Sequence, residues 1–77
     1  MQTLTMNYTV AANSFATYEV TPPQVNGYKC IMAVAKWTSE YDVIFADASL
    51  SGIKLKNLSG TSKSNTCALQ LLYIRDI

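Results

Sequence analysis

The chain has 77 residues, of which 49% are hydrophobic and 14% are charged, and its formal net charge is +1. That length fits one domain, and the six basic residues are spread along the chain, which argues against a nucleic-acid-binding patch. A domain of this size buries only about 60% of the surface that its unfolded chain exposes, so an isolated copy would be marginally stable. The low charge therefore suggests that part of the apolar surface packs against another copy of the chain.

The first two predicted strands cover residues 3–10 and 15–20, where apolar and polar residues alternate. Between them, residues 11–14 form a turn in which Asn13 can adopt the left-handed backbone conformation. A crossing loop follows over residues 21–27, because its two prolines exclude a central strand.

The third predicted strand covers residues 28–37 and is apolar on most of both faces. A strand of this composition is expected to be covered on both sides. A small domain supplies one covering layer well, so we expect a partner subunit in a closed cyclic assembly to supply the other.

The second half of the chain predicts three further strands, over residues 42–50, 53–58 and 66–74. A hairpin turn at residues 38–41 precedes them, and a turn at 51–52 and a polar loop at 59–65 separate them. No stretch longer than a turn has a helical period with caps. Six short strands predict an all-β fold, a small antiparallel β-sandwich that is jelly-roll-like and forms a single domain over residues 1–77.

Catalytic chemistry is not expected from these residues. The chain has no histidine, which removes the commonest general base and the Ser-His and Cys-His nucleophile arrangements. Glu40 and Asp42 could form a carboxylate pair of the kind that a glycosidase needs, but carboxylates that flank a turn are more simply explained by solvation. No catalytic residue, cofactor or metal site is predicted.

The two cysteines, Cys30 and Cys67, fall within predicted strands. We expect both to be reduced thiols that act as small buried hydrophobes, with a disulfide between neighbouring strands as the alternative. Two thiols without a histidine do not complete a zinc site alone.

If every connection reverses the chain, three turns lie together at one end of the domain, at residues 11–14, 38–41 and 59–65. Trp37 at the lip of this end, with Tyr41 and Asp42, offers an aromatic platform beside a carboxylate, as sugar-binding sites do. Further polar groups of the candidate ligand site come from Glu40, Ser62, Ser64 and Asn65. The alternative is that Trp37 fills the end of the core or the seam between subunits.

The N-terminal residues are polar and alternating, without the basic and apolar regions of a signal peptide. No apolar run approaches the length of a membrane span. Synthesis in the cytoplasm, without membrane insertion, is therefore expected.

Five segments carry a likeness to a known family, at residues 10–15, 27–37, 43–46, 55–59 and 69–74. In strand pattern, over nearly the whole chain, they resemble the C-terminal domains of tailed-phage fibre and receptor-binding proteins, including those of prophages in Gram-positive gut bacteria. The resemblance implies a β-sandwich that assembles as a homotrimer at a fibre tip and binds a host surface glycan or protein. It carries over no binding residue, because the tip loops of such families vary with the host.

The leading hypothesis is therefore a non-enzymatic phage fibre tip module, made in the bacterial cytoplasm and located on the virion, at the tip of a tail or head fibre. Its trimer axis is expected to be lined by residues such as Met32, Val34 or Leu72. One alternative is a purely structural trimerisation or decoration domain without a ligand, and another is a stand-alone carbohydrate-binding module. The chain begins with Met1 and shows no shaft, so we expect either an excised domain or a small whole protein.

Overall fold

The computed structural model describes residues 2–76 and shows six strands. They are β1 (Gln2–Val10), β2 (Phe15–Tyr18), β3 (Tyr28–Thr38), β4 (Val43–Ala48), β5 (Ile53–Asn57) and β6 (Lys63–Arg75). All six predicted strands are confirmed. The largest difference is at β6, which begins at Lys63, within the predicted polar loop, because its first residues pair with the end of β1.

The strands form two antiparallel sheets of three strands each, sheet A in the order β1-β6-β3 and sheet B in the order β2-β5-β4. The predicted β-sandwich is therefore confirmed. The prediction of a hairpin turn at residues 38–41 is wrong, because β3 and β4 lie in different sheets and this segment crosses between them. Among the described strands, only β4 and β5 are neighbours both in sequence and in a sheet. All other connections cross from one sheet to the other, which is the way a jelly roll is wound.

The core lies between the two sheets and follows the alternation of the strands. Leu55 of β5 and Leu69 and Leu71 of β6 are fully buried, and burying each such side chain contributes about 2 kcal/mol. The buried apolar cluster comprises Tyr8, Val10, Val20, Ala33, Val43, Ile53, Leu55, Cys67, Leu69 and Leu71. Since these positions point inward, the residues between them on each strand point outward.

One buried polar side chain joins the two sheets. Asn57, at the end of β5, is fully buried, and its Nδ2 donates to the carbonyl oxygens of Val10 (3.0 Å) and Thr61 (2.8 Å). Its Oδ1 accepts from the backbone N–H of Ser59 at 2.9 Å. Because every hydrogen-bonding site of the amide but one lone pair is used, its burial is compensated.

Strand β3 forms one edge of sheet A, pairing with β6 on one side only. Its pairing shifts between Cys30 and Met32 and again between Ala35 and Trp37, which leaves Ile31 and Lys36 as bulged residues. The inner face of the strand is covered, with Ala33 buried, but the outer face has no covering layer within residues 2–76. Bulges bend a strand and make its edge a poor template for pairing with another strand.

Both cysteines are free, as the sequence predicts. Cys67 lies on β6, whereas Cys30 on β3 pairs with Tyr73, six positions further along β6. Six strand residues span about 20 Å, well beyond the roughly 4–7 Å between Cα atoms that a disulfide requires.

Candidate functional site

The three segments that the sequence places at one end of the domain lie together, although residues 38–41 cross between sheets and Lys63–Asn65 belong to β6. The backbone N–H of Asn13, in the turn after β1, donates to the carbonyl oxygen of Ser59, in the loop after β5, at 3.0 Å. The N–H of Leu58 in that loop donates to the carbonyl oxygen of Asp42, in the segment after β3, at 2.7 Å. Asn13 adopts the left-handed conformation, with φ of 54°. We call this region, residues 11–14, 39–42 and 58–62, the turn end.

Glu40 is held at the turn end by residues of β6. Its Oε1 accepts a hydrogen bond from Nδ2 of Asn65 at 3.1 Å, and its Oε2 lies 3.9 Å from Nζ of Lys63. A partly solvated ion pair at that distance contributes little to stability. The main effect of the two contacts is to fix the position of the Glu40 carboxylate. Glu40 and Asn65 are therefore already hydrogen-bonded to each other before any ligand binds.

Tyr41 and Asp42 are the predicted site residues that remain free. Tyr41 lies at the apex of the connection and is fully exposed. The Asp42 carboxylate is exposed and makes no hydrogen bond or ion pair within residues 2–76, while its carbonyl oxygen anchors the loop at Leu58. An aromatic ring beside a free carboxylate is the combination that the sugar-binding hypothesis requires.

The two predicted serines take part in hydrogen bonds of the fold. Oγ of Ser64 lies 2.9 Å from Oγ1 of Thr9, its partner on β1, so Ser64 belongs to the strand and not to a loop. Oγ of Ser62 lies 3.4 Å from the carbonyl oxygen of Val10. A hydroxyl can still accept from a ligand in each case, since it has two lone pairs.

Trp37 lies on the outer face of sheet A, in register with Ala68 of β6. It is 42% exposed, so it does not fill the end of the core. No hydrogen bond joins it to Glu40 or Asp42 within the described residues. The structure therefore separates the predicted aromatic platform into Tyr41 at the turn end and Trp37 on the sheet.

The predicted interface residues lie together on the same outer face as Trp37. Met32 pairs with Leu72 of β6, and Val34 pairs with Gln70. Met32 is 50% exposed and Val34 is 43% exposed, although both belong to a strand that is packed on its other side. We call Met32, Val34, Trp37, Leu72 and Ile74 the sheet A face.

The sequence does not reveal a second group of side chains, on the outer face of sheet B. It shows only that Lys54 and Lys56 share a strand face. The register adds Phe15 of β2, which pairs with Lys56. The missing information is which strand lies beside β5, because β2 and β5 are far apart in the sequence.

A buried hydroxyl lies beneath the turn end. Tyr8 is 3% exposed, and its Oη has no hydrogen-bond partner within residues 2–76. Burial raises the pKa of this phenol above its ordinary value, and the charge of Glu40 raises it further. The nearby Ser39 hydroxyl lowers this pKa, but it donates its proton to the carbonyl oxygen of Thr66 and makes no hydrogen bond with Tyr8.

Within residues 2–76, no cluster of three or more histidine, cysteine or acidic side chains could hold a metal ion. The same residues contain no helix that could cross a membrane. Comparison of the chain with protein-family models, curated proteins and solved structures returns no match.

Proposed function

We propose that this chain is a non-enzymatic adhesion module that assembles as a homotrimer through its sheet A face and presents its turn end to a bacterial surface glycan or protein. The setting that we propose, from the resemblance in strand pattern, is the tip of a phage tail or head fibre. The observation that carries the proposal is the exposed sheet A face, because a small domain in water gains stability by covering such a surface.

Two features of β3 favour packing through its face over pairing through its edge. The bulges at Ile31 and Lys36 disturb the free edge. The Lys36 ammonium bends back across the sheet and donates to Oγ1 of Thr3 on β1 at 3.0 Å. The ammonium is therefore bound by Thr3 across the outer face of sheet A, while Met32 and Leu72, further along β3 and β6, remain an apolar surface on that face.

The free groups at the turn end support the ligand-binding part of the proposal. Tyr41 and Asp42 are exposed and use none of their side-chain hydrogen-bonding capacity within the described residues. Both side chains are therefore free for recognition of sugar hydroxyls.

The alternative of a structural trimerisation or decoration domain is favoured by a different observation. Glu40, Ser62, Ser64 and Asn65 are all engaged within the fold, which leaves a small ligand surface. A stand-alone carbohydrate-binding module would use the same turn end without the trimer.

The first test is light scattering at micromolar concentration, where we expect three times the 8.5 kDa mass of one chain. A monomer mass would overturn the trimer. The second test compares host-cell adhesion and glycan-array binding of the parent with the Tyr41→Ala and Asp42→Asn variants. We expect about tenfold weaker binding from Asp42→Asn, since hydrogen bonds to a charged group contribute about 1.5–3 kcal/mol.

The matched control is Asp76→Asn, which makes the same change just after β6, at the opposite end of the domain from the turn end. Binding by both turn-end variants at the parent's level, with circular dichroism unchanged, would exclude the turn end as the site. Trimerisation without any binding would favour the structural alternative.

A further inference from the structure

We propose that the outer face of sheet B holds a second binding site, for a saccharide that carries carboxylate or phosphate groups. Its residues are Phe15 of β2 and Lys54 and Lys56 of β5. This face lies opposite the proposed subunit interface, and neither the interface nor the turn end uses it.

The register of sheet B places these side chains side by side. Ile53 and Leu55 of β5 are buried, so the alternating Lys54 and Lys56 point outward. The outward side chains form two rows across the sheet, Phe15–Lys56–Ile44 and Thr17–Lys54–Asp47. The two lysines therefore occupy the middle of the face, with Phe15 at one side.

Both ammonium groups lie over the same aromatic ring. Nζ of Lys56 is 4.6 Å from the centroid of Phe15, and Nζ of Lys54 is 4.9 Å from it. The attraction of each cation to the ring orders two long side chains that would otherwise be mobile. Because the two lysine side chains are partly ordered before a ligand binds between them, the entropy cost of binding is lower.

Most of the hydrogen-bonding capacity of the two ammonium groups is unused. Nζ of Lys56 donates to the carbonyl oxygen of Asn13 at 3.0 Å, whereas Nζ of Lys54 makes no hydrogen bond within residues 2–76. The one ion pair in the described chain joins Lys63 to Glu40, so neither Lys54 nor Lys56 has a carboxylate partner there. Each ammonium has three donors, and a carboxylate or phosphate oxygen is their strongest acceptor.

The ring itself accounts for the saccharide part of the ligand. Phe15 is 55% exposed, which leaves an apolar surface for the C–H groups of a sugar ring. Two lysines on a chain of net charge +1 are too few for the wide basic footprint that nucleic acid needs.

An open depression of about 340 Å³ continues from Lys54 toward Ser49 and Ser51. Glu19 and Asp47 also line it, so an anionic group is repelled there and binds at the lysines, while neutral hydroxyls of a longer chain extend along the serines.

The experiment measures calorimetric affinity for three probes: polygalacturonate, which carries carboxylates, phosphomannan, which carries phosphates, and uncharged dextran. We expect one or both anionic probes to bind and dextran not to bind. Lys54→Gln with Lys56→Gln should weaken that binding at least about tenfold. The matched control, Lys29→Gln with Arg75→Gln, removes two charges from exposed positions of sheet A and should change the affinity by less than about twofold.

Three single variants sharpen the result. Lys54→Gln removes no hydrogen bond of the described fold and leaves Lys56 over Phe15, so it should weaken binding in a chain that still folds. Phe15→Leu keeps an apolar side chain but lacks the ring, and should weaken binding about threefold. Asp47→Asn removes the negative charge beside Lys54 and should strengthen binding.

Equal loss in the sheet A and sheet B double variants would overturn the proposal, since bulk charge would then explain the binding. Unchanged affinity in the sheet B double variant, with a lowered melting temperature, would also overturn it and would leave the lysines a purely stabilising role over Phe15. Tighter binding of duplex DNA than of both anionic saccharides would contradict the assigned ligand class.

Discussion

On the outer face of sheet A, Met32 and Val34 of β3 lie beside Leu72 and Gln70 of β6. On the outer face of sheet B, the corresponding middle positions hold Lys54 and Lys56 of β5. Both faces are formed by the outward half of alternating strands, and both cover the same buried core. Their chemistry differs because apolar residues occupy outward positions of β3 and of part of β6, whereas lysines occupy those of β5.

This difference separates two kinds of surface in one small domain. A lysine on a strand covers apolar neighbours with its stem and keeps its charge in water, so the sheet B face is stable when exposed. Met32 and Val34 have no polar tip, and covering them requires another protein surface. The comparison therefore predicts that the two faces respond differently to the same substitutions.

The largest expected effect comes from removing the Asn57 side chain, whose hydrogen bonds join sheet B to sheet A. Asn57→Ala removes three hydrogen bonds and leaves the carbonyl of Thr61 and the N–H of Ser59 without their side-chain partner. We expect the free energy of unfolding to fall by about 3 kcal/mol, measured by urea denaturation at one fixed protein concentration.

The control for this variant is Asn7→Ala, an exposed asparagine on β1, which should change stability by less than about 0.5 kcal/mol. A loss below about 1 kcal/mol for Asn57→Ala would show that the two sheets are held together mainly by apolar packing.

The next effect tests the two faces directly. Val34 and Ile44 are β-branched residues of edge strands with nearly equal exposure, 43% on sheet A and 44% on sheet B. Val34→Lys places a charge in the proposed interface and should raise the dissociation constant of the assembly at least about tenfold, because several copies bring like charges together. Ile44→Lys should leave the assembly intact.

Analytical ultracentrifugation over a concentration series measures both dissociation constants. Equal dissociation of the two variants would remove the distinction between the faces, and dissociation by Ile44→Lys alone would assign the interface to sheet B.

Much of the fold could be predicted from the sequence, because alternation and turn residues are local signals. The alternation within Leu4 to Val10, and within Lys54 to Lys56, predicts which side chains share a face of the strand. This prediction does not require knowing which strands pair with them. The placement of Trp37 required the register of β3 with β6, which two bulges alter. The contact of Phe15 with the lysines required the pairing of β2 with β5, which no local pattern encodes.

A smaller effect concerns the space between the faces, where Tyr8 buries a hydroxyl without a partner in residues 2–76. Tyr8→Phe should stabilise the chain by about 1 kcal/mol by removing this group. Burial raises the pKa of Tyr8 above its ordinary value of 10, so the folded chain holds the proton more tightly than the unfolded chain. The parent should therefore lose stability as pH rises above 10, and the variant should lose less.

Thermal unfolding at pH 8 and pH 10.5 measures both parts of this prediction. Lower stability of Tyr8→Phe at pH 8 would indicate that the hydroxyl is hydrogen-bonded in solution, for example by a buried water molecule.

The smallest effect is a difference in rate between two thiols of sheet A. Cys67 is fully buried, and burial raises its pKa, whereas Cys30 is half-buried near the start of β3. Because the thiolate is the reactive form, a thiol reagent should label Cys30 first and Cys67 only as the chain unfolds. In the Cys30→Ser variant, Cys67 is the one remaining thiol. The rate at which Cys67 is labelled should rise with urea concentration, in parallel with the fraction of unfolded chain. Equal labelling rates would contradict the burial of Cys67.

An intact mass two daltons below that of the reduced chain would require a disulfide, which would place Cys30 beside Cys67 and contradict the register of β3 with β6.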